Sequence, residues 1–106
     1  MSPRSLGDFE QLVLLAILRI GDGAYGVPII EEIRATADRE VSHAAVYIAL
    51  RRLEKKGLVR SRRADSTSRR GGRAKRFFEV EAEALPMLRH QRDALLAMWE
   101  GLKVEL

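Results

Sequence analysis

Ser42-His43-Ala44-Ala45-Val46-Tyr47-Ile48-Ala49-Leu50-Arg51-Arg52-Leu53-Glu54-Lys55-Lys56-Gly57-Leu58-Val59 is the stretch on which the fold turns. Val46, Ala49, Leu50 and Leu53 recur at spacings of three and four, the period of one buried helix face. Ser42 offers an N-cap hydroxyl, and Gly57 tolerates the left-handed backbone that ends a helix. A helix is therefore predicted over His43–Lys56. His43, Tyr47, Arg51 and Lys55 stand four residues apart on the face turned from the core, with Arg52 beside them.

The cationic face continues past the helix. Between Arg51 and Arg76 there are twelve Lys or Arg residues against Glu54 and Asp65, a segment charge of about +10. The chain as a whole carries +4, so the remainder sums to about −6. A basic block on an acidic frame is a directed surface, and its natural complement is a polyanion.

The other bounds are set by composition. At 106 residues the chain is expected to form one domain with a modest core, and 46% apolar with 32% charged residues describes a globular protein. Cysteine is absent, which removes disulfides and the usual cysteine-bearing zinc sites. The apolar run Leu12–Leu18 is far below the roughly 18 residues of a membrane span, and Met1-Ser2-Pro3-Arg4 has no apolar signal core. A cytoplasmic address and no membrane partner are expected.

Outward from the decisive stretch, a first helix is predicted over Asp8–Arg19. Phe9, Leu12, Val13, Ala16, Ile17 and Ile20 follow helical spacing, and Leu14, Leu15 and Leu18 occupy the other side. A helix apolar nearly all round needs two covers, and in so short a chain the second is expected to be another subunit. Gly21-Asp22-Gly23 ends it. A second helix begins near Val27 with Pro28 in its first turn, buries Ile29, Ile30 and Ile33, and frays near Asp38. After Gly57, Leu58–Ala64 and Lys75–Val80 read as strands joined by a polar loop from Asp65 to Arg73 with Gly71-Gly72 at the reversal. A last helix runs from about Ala84 to Leu102, with Pro86 in its first turn. Leu85, Leu88, Arg92, Leu95, Trp99 and Leu102 lie along one seam of fewer than three heptads, as in a helix that packs along a partner.

Three helices followed by a hairpin is the order of a winged helix-turn-helix. The fold class expected is mainly α with a small β-hairpin: a winged helix-turn-helix over residues 6–80 and a C-terminal dimerisation helix over residues 81–106. At residue level, four pieces carry a resemblance. They are Leu6-Gly7-Asp8-Phe9-Glu10, Ala24-Tyr25-Gly26, the run Val41-Ser42 with Val46–Val59, and Arg70-Gly71-Gly72-Arg73-Ala74-Lys75-Arg76-Phe77-Phe78. In this order they resemble the PadR family of transcriptional regulators, of the short type with a single C-terminal dimerisation helix. The resemblance spans about Leu6 to Leu102. It implies a homodimer that binds operator DNA and represses transcription, often of transporter or stress genes, and in some relatives responds to small planar aromatic molecules. Two reading helices in successive major grooves, roughly 34 Å or about 10 bp apart, would call for a pseudo-palindromic site.

The candidate DNA-binding residues are Ser42, His43, Tyr47, Arg51, Arg52, Lys55, Arg69, Arg70, Arg73 and Lys75, with Arg76 beside them. Arg51 is expected to reach a base edge, because a guanidinium donates two bonds to guanine, while Arg52 and Lys55 meet phosphates. The alternatives stay open for each: a solvated charged face, Tyr47 as a core residue, His43 idle at the surface, Ser42 as a cap alone. Wing arginines at a hairpin tip suit phosphate contact or entry into a narrow minor groove.

Phe9, Leu12, Leu88, Leu95, Trp99 and Leu102 are the candidate dimerisation residues. Trp99 either anchors the last helix against the first or lines an interface cavity with Leu95, Leu96 and Met98, where a planar aromatic ligand would stack. Arg92 pairs with Asp93 or Glu100 of a partner or extends to solvent. Catalysis finds no support: His43 and His90 fall on different helices, no phosphate-cradling loop precedes a Lys-Ser/Thr helix, and no nucleophile elbow occurs. No cofactor and no metal are expected. Beside the DNA-binding regulator stand two other readings, a winged-helix protein-interaction module and a structured-RNA binder.

Overall fold

The structure, a computed structural model, describes residues 5–64 and 75–104. Its elements follow one another as α1 (Asp8–Ile20), α2 (Gly26–Ala37), α3 (His43–Lys55), β1 (Val59–Arg63), β2 (Arg76–Val80) and α4 (Ala84–Trp99). This is the mainly helical, hairpin-bearing architecture that the residue pattern predicts.

The core forms where the three N-terminal helices meet. Val13, Leu14, Ile29, Val46, Leu53 and Leu58 are fully buried there, and Leu50, Ile17 and Ile33 nearly so. The inward stripe of α3 is the predicted one, Val46, Ala49, Leu50 and Leu53. That of α1 differs. Leu14 belongs to the core, Leu15 and Leu18 stand exposed, and Phe9, Leu12 and Ile20 are half-buried. The buried stripe of α1 centres on Val13, Leu14 and Ile17 because both α2 and α3 press on that side.

Polar contacts fix where the helices end. The carboxylate of Glu10 accepts the Gly7 N–H at 2.9 Å, capping α1, and accepts Lys56 Nζ at 2.9 Å through both oxygens. Burial by itself would raise the pKa of Glu10. The Gly7 N–H, the Lys56 ammonium and the more distant charge of Arg52 outweigh it and hold the carboxyl below its ordinary value. This pair ties the start of α1 to the end of α3. The α2 helix starts at Gly26, one residue before the predicted Val27, and stops at Asp38, whose left-handed φ of 53° suits an aspartate. Ser42 Oγ accepts the Ala45 N–H at 3.0 Å as the predicted cap of α3. The α3 helix closes at Lys55 rather than Lys56, ahead of Gly57 at φ 79°.

The hairpin pairs Val59 with Val80, Arg60 with Glu79, Ser61 with Phe78, Arg62 with Phe77 and Arg63 with Arg76. Leu58 and Lys75, predicted as strand residues, lie just outside the ladder, and so does Ala64. The Phe78 N–H donates to Ala24 O at 2.8 Å, so the wing is tied to the loop ahead of α2. Phe78 and Val59 bury their side chains against the helices, which sets the hairpin beside α3.

The α4 helix begins at Ala84 with Pro86 in its first turn, as predicted, but ends at Trp99. Gly101 at φ 81° follows, and Leu102 lies beyond the helix rather than on its seam. Only the first half of α4 is held by the body. Ala84 and Leu88 are buried, and the amide of Gln91 grips the backbone of Leu6, accepting its N–H at 2.9 Å and donating to its carbonyl at 3.0 Å. Past Gln91 every residue of α4 is exposed.

Candidate nucleic-acid interface

The exposed side of α3 carries His43, Tyr47, Arg51, Arg52 and Lys55, so the structure brings the helix candidates to one surface. Helical geometry divides that surface. Ala44 and Lys55 lie opposite the buried stripe, Tyr47, Arg51 and Glu54 lean toward the wing, and Ala45, Ile48 and Arg52 lean toward the start of α1. Ser42 sits at the helix start with its hydroxyl engaged in the cap.

Between α3 and the wing runs a cleft of about 620 Å³ lined by Tyr25, Tyr47, Arg51, Glu54, Lys75 and Arg76, with Leu50 and Phe78 at its floor. Two tyrosine hydroxyls and three cations around one opening suit an anionic strand whose phosphates need several donors. Lys75 stands over the Tyr25 ring, 4.4 Å from its centroid, and Arg62 over Phe77 at 5.0 Å. Tyr25 meets Phe77 edge to face at 5.7 Å. These contacts hold long cationic side chains in place without neutralising them.

Carboxylates sort the remaining cations of the block. Glu10 pairs with Lys56, and Glu79 and Glu81 pair with Arg60 at 3.3 Å and 2.6 Å. Arg76 donates to Ser61 Oγ at 2.9 Å, and Ser61 donates to Glu54 at 2.6 Å, linking the wing to the last turn of α3. Among the described residues, Arg51, Lys55, Arg62 and Arg63 have no carboxylate within 4 Å. The sum of about +10 thus overstates the free charge; the cations left without a described carboxylate lie on α3 (Arg51, Arg52, Lys55), on β1 (Arg62, Arg63) and at the start of β2 (Lys75, Arg76). Arg69, Arg70 and Arg73 lie outside the described residues.

Two residues of this surface are not singled out by sequence reasoning. Tyr25 enters the sequence reading only within the Ala24-Tyr25-Gly26 piece of the resemblance, and the wing folding back against the start of α2 puts it in the cleft. Ile48 is exposed to 53% halfway along α3, on the side of its outer face that borders the start of α1. Its signal is present in the chain, since it lies half a turn from the Val46–Leu53 stripe, but the charges around it are the more conspicuous feature.

Gly26 explains why tyrosine can stand at position 47. The ring of Tyr47 lies over the first turn of α2, and a Cβ at Gly26 would fall 2.8 Å from Tyr47 Cζ and closer still to Oη. Tyr47 is half exposed and can swing outward. Gly26→Ala is therefore expected to turn the Tyr47 ring outward at a cost of less than about 1 kcal/mol in urea unfolding, and to add nothing to the effect of Tyr47→Ala in the double variant. An additive pair of losses would show that the contact is not a close one.

At the other end of the molecule the second half of α4 presents Leu95, Leu96, Met98 and Trp99, each between 51% and 75% exposed, followed by Leu102 and Val104. Within this chain Trp99 does not anchor α4 to α1. Leu88, also expected at an interface, is buried in the chain's own core, while Phe9 and Leu12 are partly open. Arg92 pairs with its neighbour Asp93 at 2.9 Å. A shallow apolar groove between α1 and α2 is lined by Leu12, Leu15, Ala16 and Ile33, with the Arg19–Glu32 ion pair at its rim. Among the described residues there is no group of three or more potential metal ligands, and no helix is long and apolar enough to cross a membrane.

Comparison with known proteins places this geometry. A PadR family transcription regulator from Clostridium difficile superposes with a TM-score of 0.71 at 21% identity, covering 87% of this chain and 92% of its own. A PadR family regulator from Eggerthella lenta gives 0.68 at 23% identity, with 86% and 77% covered. BpsR of Bordetella bronchiseptica gives 0.62 at 19% identity, with 97% and 72% covered. At these identities the likeness establishes the winged-helix fold. No curated protein sequence matches. The model of the transcriptional regulator PadR-like family matches residues 14–83, from the middle of α1 to the threshold of α4, and the chain belongs to that family of transcriptional regulators.

Proposed function

We propose that the protein is a homodimeric, sequence-specific DNA-binding repressor, with α3 in the major groove and the hairpin on the adjoining backbone. The observation that carries the reading is the placement of unneutralised charge. Lys56 and Arg60 are paired with carboxylates, whereas among the described residues Arg51 and Lys55 on α3 and Arg62 and Arg63 on β1 have none within 4 Å. Arg51 is the base-reading residue, and Tyr25, Tyr47, Arg52, Lys55, Lys75 and Arg76 serve phosphates. Wing residues Arg69, Arg70 and Arg73 add contacts of the same kind. A DNA-bound role gives the protein a cytoplasmic location.

Dimerisation rests on α4. Four large apolar side chains close together on the end of one helix are costly to leave in water, and a second copy covers them by symmetry. Trp99, with Leu95, Leu96 and Met98 beside it, is the proposed contact for a planar aromatic effector between the two copies. BpsR, which shares the fold, has its DNA binding regulated by 6-hydroxynicotinic acid, a molecule of that shape.

The test is a selection of bound duplexes from a random pool by the whole chain, followed by titration. A pseudo-palindromic site is expected, preferred over random duplex and over RNA. Arg51→Ala is expected to cost roughly 1–3 kcal/mol on the selected site and little on random DNA. Arg63→Ala with Lys75→Ala is expected to weaken all duplexes alike and to reduce the salt slope by about 0.9 for each phosphate that is no longer neutralised. An effector would both release the DNA and quench Trp99 emission. Equal affinity for RNA and duplex, or uniform losses from both variants, would contradict the reading.

A further inference from the structure

We infer that Ile48 reads the 5-methyl group of thymine, so that each half-site contains a thymine facing the centre of α3. The inference rests on the DNA-binding reading above and deepens it. Among the described residues, Tyr47 and Ile48 are the large apolar side chains of α3 that stand exposed, and Tyr47 is engaged against Gly26. Ile48 keeps 53% of its surface open, at the edge of the shallow hollow that Phe9, Ala45 and Arg52 also line.

Its position gives it a ligand. Ile48 follows Ala44 by one turn and precedes Arg51 and Arg52 by one turn, so a small and a branched aliphatic side chain lie in line with the cations of the same face. A protein partner with an apolar hot spot would have to accept Arg51, Arg52 and Lys55 around it. The major groove accepts both at once: phosphates flank it, and its edges display one apolar group, the thymine methyl. A branched aliphatic chain meets that methyl by van der Waals contact and excludes water from it, and Ala44 leaves room for the base pair beside it.

The experiment uses the whole chain and its selected duplex, with the invariant thymine of each half-site replaced by uracil, which keeps every hydrogen-bonding group and lacks the methyl. For the natural protein the replacement is expected to weaken binding about four-fold per half-site, the effect of withdrawing one methyl from an apolar contact. Ile48→Ala is expected to bind thymine and uracil duplexes nearly alike, and Ile48→Val to retain part of the difference. Unchanged thermal stability of Ile48→Ala is expected, since the side chain is open. Three results would overturn the inference: a selected site with no invariant thymine, a thymine preference that survives Ile48→Ala, or a loss of stability in Ile48→Ala, which would mean that protein covers the side chain. Failure of the DNA-binding reading itself looks different, because the natural protein would then select no duplex at all.

Discussion

A chain carrying Leu95→Glu and Trp99→Glu is expected to sediment as a monomer and to bind its selected duplex about 100- to 10,000-fold more weakly than the natural protein. Both side chains are more than half exposed on a stretch of α4 whose residues are all open, so the substitutions remove little internal packing. Glutamates facing each other across a two-fold axis would repel, and the repulsion would be repeated by symmetry. The loss in affinity arises because two tethered reading helices bind as one ligand, whereas separate monomers each bear the full entropic cost of association. Circular dichroism should show an unchanged helix content, and a half-site duplex should bind the variant and the natural protein with similar affinity. A variant that remains dimeric would move the interface elsewhere, with the apolar groove lined by Leu12 and Leu15 the next surface to test.

Leu53→Ala is expected to remove about 2–5 kcal/mol of stability, with the Tm falling by roughly 4–8 °C for each kcal/mol. Leu53 is fully buried on α3, in the same core as Val13, Leu14, Leu50 and Leu58. Its removal leaves a cavity at the point where α3 is supported by the other helices. A small domain has only about 5–15 kcal/mol in total, so this substitution approaches the limit of folding. Unfolding should be followed at fixed protein concentration, since association would add to the apparent stability. A loss below about 1 kcal/mol would indicate that the surrounding helices collapse into the space. The contrast with Ile48→Ala, on the exposed face of the same helix, separates what α3 does for the fold from what it does for recognition.

How far the molecule is legible in its residues varies from element to element. The core face of α3, its Ser42 cap and its glycine stop can be read directly, because helical period and capping are local properties. The core face of α1 cannot. Its apolar residues run nearly all round, and the positions of α2 and α3 determine that Leu14 is buried while Leu15 and Leu18 are open. The apolar seam of α4 carries the expected helix on to Leu102, but Gly101 at φ 81° turns the backbone first. Charge is legible as a sum and misleading as a surface. Counting does not show that Glu10, Glu79 and Glu81 neutralise Lys56 and Arg60, since those pairs join residues 46, 19 and 21 positions apart.

The order of elements, the third helix with its cap and stop, the basic block and the family are all written in the chain alone. Each is encoded in neighbours within a turn or two, or in a motif spanning a few residues. Other features had to wait for the folded molecule: which of those charges are free, that Tyr25 shares a cleft with Tyr47 and Lys75, and that Gly26 makes room for Tyr47. Those are outcomes of packing. They depend on which side of each helix another element covers, and a residue's own neighbours in the chain carry no record of that.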